Sequence, residues 1–267
     1  MSGPRRARTQ ETPLNESKML VLGLCPTYIC SLMKTLTALI PFFNEERTIV
    51  ELINQIDALP KGILAECIFV DDGSTDSSRQ LLSQALAGVH FKSQIVTKAN
   101  GGKASAIKEG AKVLTTSHVV ILDSDLELAT SDIERLWQIV QSGENDYVFG
   151  YRAFLAHSSF TYRYSRGNQL LSNIYGILFN EVISDIMCGY KLVPSETLQS
   201  LPYKYKHFGL EIEIPMQMWL NHQRPFEVDV AYRARTRAQG KSISVRDAFA
   251  VIASMVTFRI THRRATL

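Results

Sequence analysis

The feature that most constrains this chain is a repeated alternation near its start: four short apolar runs separated by three segments of helical periodicity. "LTALIP" (36–41) and "HVVILD" (118–123) read as buried strands, and "ECIFVD" (66–71) and "SQIVTKA" (93–99) as the strands between them. Between them, "NEERTIVELINQIDAL" (44–59) places Ile49, Leu52, Ile53 and Ile56 on one helical face, with Asn44 as its expected cap and acids in the first turn. "SSRQLLSQAL" (77–86) and "KASAIKEGAKVL" (103–114) are the other two helices. Strands alternating with single helices predict a mostly parallel sheet covered by helices. Such sheets bind ligands beyond the carboxyl ends of their strands.

That rule sorts the polar residues. Pro41 to Glu45, Asp71 to Asp76, Asn100 to Lys103 and Asp123 to Glu127 each follow a strand, so the four clusters are expected on one edge. Asp123, Asp125 and Glu127 occupy alternate positions, which on extended backbone would turn them to one side. Three oxygen ligands gathered this way suit Mg2+ or Mn2+, the ions that accompany diphosphates. A lone D-x-D would more simply cap the next helix; convergence with three other clusters favours the metal. "DDGSTD" also has the composition of an Asx-rich turn capping a helix, and that role is compatible with binding.

The 267 residues, 45% of them hydrophobic, suffice for one large domain or a domain with appendages. A net charge of +3 gives no global field for nucleic acid. The sign is uneven, however: from Arg233 to Arg264 there are eight Lys or Arg and one acid, Asp247, a tail suited to phosphates or an anionic membrane face. The four cysteines fall at irregular spacings without a C-x-x-C pair, as in reduced thiols of a cytosolic protein. Met19 to Met33 is apolar and follows Arg5, Arg6, Arg8 and Lys18, yet it is shorter than the ~20 residues of a spanning helix and is broken by Pro26. It reads either as a signal-like segment or as an extension preceding a natural start at Met33.

"ALIPFFNEERTI", "FVDDGSTDSS", "NGGKASAIKEGA" and "VVILDSDLE", in this order and spacing, resemble the family 2 inverting glycosyltransferases of the GT-A fold. The resemblance continues through "FGYRAF", "YSRGNQLLSNI", "SDIMCGYKLVPSETLQSL", "FGLEIEIPMQM" and "EVDVAYRARTRAQGKSISVRDAFAVI", and covers roughly residues 35 to 255. These later stretches are similar to the polyprenyl-phosphate branch, which includes dolichyl-phosphate mannose synthase and dolichyl-phosphate glucosyltransferase. The resemblance implies a single α/β domain of Rossmann-like character over 35–232, preceded by an extension (1–34) and followed by a basic arm and interfacial helix (233–267). It implies a cytoplasmic enzyme held peripherally at the membrane face, with a nucleotide-diphosphate sugar (UDP-glucose or GDP-mannose class) and a polyprenyl phosphate as substrates.

Carried over residue by residue, the resemblance implies that Pro41, Phe43, Glu45, Val70 and Ser124 line the nucleotide-sugar pocket and that Asp72 reads the base. Asp123, Asp125 and Glu127 would hold the ion, Glu127 standing where the mannose synthases carry Gln. Lys103 of the N-x-G-K-like loop, and Arg237, Lys241 and Ser242 of the arm, would meet the diphosphate. The family more often has Ala where Ser124 stands and Gly where Ala104 stands. Arg152 in "GYR" and Arg166 in "SRG" match arginines that bind the lipid phosphate, and Asp185 falls where many relatives place an acid near the reacting centre.

The role of Asp185 depends on the acceptor. A sugar hydroxyl needs a base to take its proton. A phosphate monoester, with a second pKa of about 6, is already an anion at neutral pH and needs positive charge instead. With Arg152, Arg166, Arg235, Arg237 and Lys241 available, Asp185 reads chiefly as a positioning residue holding an arginine. The alternative is a soluble transferase acting on a sugar, protein or small-molecule hydroxyl, with Asp185 as general base. A catalytically silent sugar-nucleotide-binding protein is the third class, disfavoured by the intact acids and cationic arm.

Overall fold

The computed structural model describes residues 34–152, 162–205, 209–233 and 245–262. Residues 1–33 and Arg235, Arg237, Gly240, Lys241 and Ser242 of the expected arm lie outside the described residues. Thr35–Leu267 form one compact unit.

The predicted alternation is present: β1 (Leu36–Phe42), α1 (Ile49–Asp57), β2 (Glu66–Asp71), α2 (Ser78–Ala85), β3 (Lys92–Thr97), α3 (Lys103–Ala111) and β4 (His118–Ile121). There follow α4 (Asp132–Gln141), β5 (Val148–Arg152), α5 (Tyr162–Phe179), β6 (Lys191–Pro194), α6 (Ser195–Ser200), α7 (Gly209–Leu220), β7 (Phe226–Val230) and α8 (Val245–Thr261). The seven strands make one sheet in the order β3-β2-β1-β4-β6-β5-β7. Among the described strands β6 alone is antiparallel to its neighbours, pairing Ile121 with Lys191 and Phe149 with Lys191.

The apolar runs of β1, β2 and β4 are buried on both faces because helices cover both, whereas the edge strand β3 is exposed or half-buried along its length. Leu39, Ile68 and Val70 join one core with Ile107, Tyr175 and Ile212. Leu36, Ala38 and Ile40 join the other with Leu52, Leu136 and Trp137. This is the continuous-apolar pattern of parallel strands. Helix α3 lies so close to the sheet that a Cβ on Gly110 would overlap Leu39 and crowd Val70. Helix α8 packs on α5 and α7 and buries Val251, Met255 and Phe258, leaving Phe249 and Ile260 exposed. No helix among the described residues is long and apolar enough to cross a membrane.

Two local expectations are corrected. Helix α1 begins at Ile49 after Thr48, and Asn44 does not cap it; Asn44 stands at φ +54, a conformation that Asn tolerates better than most residues. The strand β4 stops at Ile121, and the following acids ride a turn with Leu126 at φ +60, so they are not on alternate positions of extended backbone.

The reversed direction of β6 positions the site. Its first residue lies level with the last residue of β4, so the chain entering β6, from Asp185 to Tyr190, reaches the same edge as the carboxyl ends of the parallel strands. Buried Lys191 fixes this entry by donating from Nζ to the carbonyls of Ile186 (3.0 Å) and Cys188 (2.5 Å). Burial lowers its pKa.

Candidate active site

The first two edge loops are laced together. Asn44 Oδ1 accepts from the backbone N–H of Thr75 at 2.8 Å, Glu45 N donates to Ser78 Oγ at 2.7 Å, and Glu46 N donates to Asp76 Oδ2 at 3.2 Å. Asp71 Oδ1 accepts from Ser74 N at 2.8 Å and shapes the second turn. Gly73, at φ +78, passes against the backbone of Asn100, where a Cβ would crowd its N–H. Of the expected pocket residues, Pro41 and Val70 are strand residues in the buried sheet, whereas Phe43 keeps 43% of its surface exposed at the edge.

Asp72, expected to meet a base, is 3% exposed and already engaged. Its carboxylate accepts from Lys98 Nζ (2.6 Å), Gly101 N (3.0 Å) and Gly102 N (2.7 Å). Three donors on one carboxylate make it a brace for the glycine loop. Ser124, expected to line the pocket, is turned inward: Oγ donates to the carbonyl of Pro41 at 3.1 Å and ties the fourth loop to the first.

Lys103, the first residue of α3, reaches Asp123 Oδ1 at 2.7 Å, Asp123 Oδ2 at 2.9 Å and Glu211 Oε1 at 3.0 Å. Burial opposes its charge, but the two carboxylates more than offset that and raise its pKa. Asp125 Oδ1 accepts from Glu127 N at 3.1 Å, and Glu127 Oε2 accepts from Tyr232 Oη at 2.9 Å. The three acids therefore follow separate partners. Among the described residues, no group of three His, Cys, Asp or Glu is arranged to hold an ion by protein ligands alone.

The second half of the edge is built around Arg152, at the end of β5. Its Nε and Nη2 donate to Asp185 Oδ2 (2.6 Å) and Oδ1 (2.8 Å), and both side chains are buried. Burial works against the guanidinium charge, and the paired carboxylate more than restores it, raising the pKa. Arg152 Cζ lies 5.2 Å from the ring centroid of Tyr232. Tyr232 thus touches Glu127 through its hydroxyl and Arg152 through its ring. A groove of about 1120 Å³ extends outward from Arg152 and Asp185 between α5 and the 180–185 segment, with Ile177 (82%) and Val182 (87%) strongly exposed beside it. Arg166 is an exposed residue of α5.

Tyr232, Gly189 and Glu211 acquire meaning only in three dimensions. A Cβ on Gly189 would overlap Asp123 Oδ2, so a side chain there would have to displace the Asp123 carboxylate. Glu211 and Glu213, two acids that in sequence alone read as helix surface, are both buried.

The fold is of the GT-A class. It is similar to that of glucosyl-3-phosphoglycerate synthase from Mycobacterium tuberculosis, crystallised with Mn2+, UDP and glucosyl-3-phosphoglycerate, with a TM-score of 0.65 over 95% of this chain and 86% of that one at 18% identity. The glycosyl transferase family 2 model matches residues 37–201, and the chain belongs to that family and is a glycosyltransferase. Glycosyltransferase AglJ of Haloferax volcanii is 26% identical over 67% of this chain and 56% of its own length. Undecaprenyl-phosphate 4-deoxy-4-formamido-L-arabinose transferase of Klebsiella pneumoniae is 32% identical over 39% of this chain and 33% of its own length. The chain therefore spans about half of one relative and a third of the other.

Proposed function

We propose that the protein transfers a hexose from a nucleotide-diphosphate sugar to a polyprenyl phosphate, with inversion at the anomeric carbon and in the manner of the dolichyl-phosphate mannose and glucose synthases. The observation that carries this reading is the bidentate Arg152–Asp185 pair. Asp185 spends both oxygens on a guanidinium, which suits a holder of Arg152 better than a base. A phosphate acceptor needs the cation and no base. The Klebsiella relative, named for transfer to undecaprenyl phosphate, supports the same acceptor class. So does the groove beside the pair, whose apolar rim at Ile177 and Val182 suits a prenyl chain.

On the donor side, Phe43 and Glu45 border the nucleotide pocket, Pro41 and Val70 form its floor, and Asp72 and Ser124 hold its loops in place. Asp123 and Asp125, with Glu127 beside them, would hold Mg2+ or Mn2+. The donor set fits in a particular way: two carboxylates leave coordination positions for diphosphate oxygens, the usual arrangement for Mg2+ in phosphoryl sites. Such an ion supplies charge neutralisation for the departing nucleoside diphosphate. Lys103, and Arg237, Lys241 and Ser242 of the arm, would add cationic and hydroxyl donors to the same leaving group. Arg152 and Arg166 orient the acceptor phosphate so that its oxygen forms the new bond to the anomeric carbon as the bond to the diphosphate breaks. The basic C-terminal region and exposed Phe249 and Ile260 support a peripheral position on an anionic membrane face.

The test is turnover of radiolabelled UDP-glucose and GDP-mannose with Mn2+ and polyprenyl phosphate in detergent, for wild type, Asp125→Ala and Asp185→Asn. An organic-soluble, mild-acid-labile product that disappears in Asp125→Ala and persists in Asp185→Asn is the expected result. Product from phosphoglycerate but none from the lipid would replace the acceptor with a small phosphorylated molecule.

A further inference from the structure

Lys103 is placed where its charge would have to be shared with a divalent ion. Its ammonium lies 2.7 and 2.9 Å from the two oxygens of Asp123, the carboxylate that stands first in the D-S-D stretch. Two cations cannot take the same carboxylate face without strong repulsion in a partly dry site. The second partner of Lys103 is unequally used. Glu211 Oε1 accepts from Nζ at 3.0 Å, whereas Glu211 Oε2 is buried and has no hydrogen-bond partner. A buried carboxylate oxygen without a donor is costly, and the same carboxylate already holds, through Oε1, an ammonium on a flexible four-carbon stem.

Resting on the metal-dependent reading above, we infer that Lys103 is the resident counter-ion of Asp123 and that Glu211 is the positioning residue that receives it when a divalent ion arrives. On Asp123 the ammonium neutralises the empty site. Shifted onto Glu211 with two of its three N–H donors, it satisfies the second oxygen, frees both oxygens of Asp123 and keeps the third donor for the diphosphate. Glu211 thereby sets how tightly the ion binds without touching it. Gly189 keeps the exchange possible, because a side chain there would occupy the space beside Asp123 Oδ2 and Lys103.

The experiment is a double-mutant cycle read as Mn2+ affinity in the presence of UDP, with free Mn2+ followed by electron paramagnetic resonance. Glu211→Gln keeps the shape and removes the receiving charge; its Mn2+ affinity is expected to fall by about tenfold or more, as outer-shell changes at metal sites do. In the Lys103→Met background the competing ammonium is gone, and adding Glu211→Gln is expected to change affinity by less than about threefold. A Glu211→Gln loss of the same size in both backgrounds would overturn the inference, because Glu211 would then act by a route other than Lys103. Unchanged affinity in Glu211→Gln alone would do the same. Failure of the wild type to bind Mn2+ with UDP would instead remove the metal-dependent reading and the inference with it. Far-UV circular dichroism checks each fold, and a misfolded Glu211→Gln leaves Lys103→Met against the double variant as the deciding pair.

Discussion

Two cations at the carboxyl edge of the sheet are held in opposite ways. Arg152 commits two parallel donors to one buried carboxylate, Asp185, and adds the face of Tyr232. Lys103 divides one ammonium between Asp123 and Glu211. The planar fork of Arg fixes a geometry; the point charge of Lys, on its longer leash, can change partner. The comparison separates a region built to stay still from one built to yield, and each variant below tests one side of it.

Asp185→Ala is expected to have the largest effect on stability, because it strands a buried guanidinium: about 3–5 kcal/mol in urea denaturation, the range for breaking a buried pair from one side. A loss below about 1 kcal/mol would mean that Arg152 finds water or another acceptor, and the rigid half of the comparison would fall. Gly189→Ala acts on the yielding half. It should lower turnover on the order of 100-fold, the scale of a 1 Å misplacement, while thermal unfolding moves little. Equal turnover would show that Asp123 can give way without consequence. Arg152→Lys keeps the charge and removes the fork, so a loss of about 2 kcal/mol is expected by denaturation, together with a raised KM for the acceptor.

The smallest effect is expected at a carboxylate held by a backbone donor in place of an ion pair. Glu213 Oε1 accepts from Lys204 N at 2.9 Å while Oε2 is buried without a partner. Burial raises its pKa in the fold, with the backbone donors opposing. A raised carboxyl pKa favours the protonated folded form, so this site is at its best at low pH and loses stability as pH climbs past the unfolded value of about 4.3 and through the folded one. The melting temperature of Glu213→Gln relative to wild type should therefore rise between about pH 5 and pH 8, and a flat difference would contradict the assignment.

What was legible in the sequence divides along the same line. The first four strands, their parallel direction and the convergence of four polar clusters follow from local periodicity and a rule of sheet topology, whereas β5 to β7 and the reversal of β6 were not read from it. Loop geometry was less legible, because a residue's type does not say which neighbour it will satisfy. Asp72 holds the glycine loop, Ser124 ties two loops, and Leu126 turns the chain where alternation was expected. Arg152 and Asp185 were both visible, and the expectation that the acid holds an arginine agrees with the pair observed. Glu211, Gly189 and Tyr232 were not foreseen in their places, since each matters through a residue far away in sequence: Lys103, Asp123, and Glu127 with Arg152.

The reversed strand β6 also tells an engineer where this protein can be cut and rejoined. Its leading end carries the short lead-in pinned by Lys191, so the stretch from Asp185 to Lys191 has no slack for insertion. Its trailing end, at Pro194, opens into α6 one strand length away on the opposite rim. Loops grafted at that rim would alter the outline of the molecule and leave the chemistry at the other rim untouched.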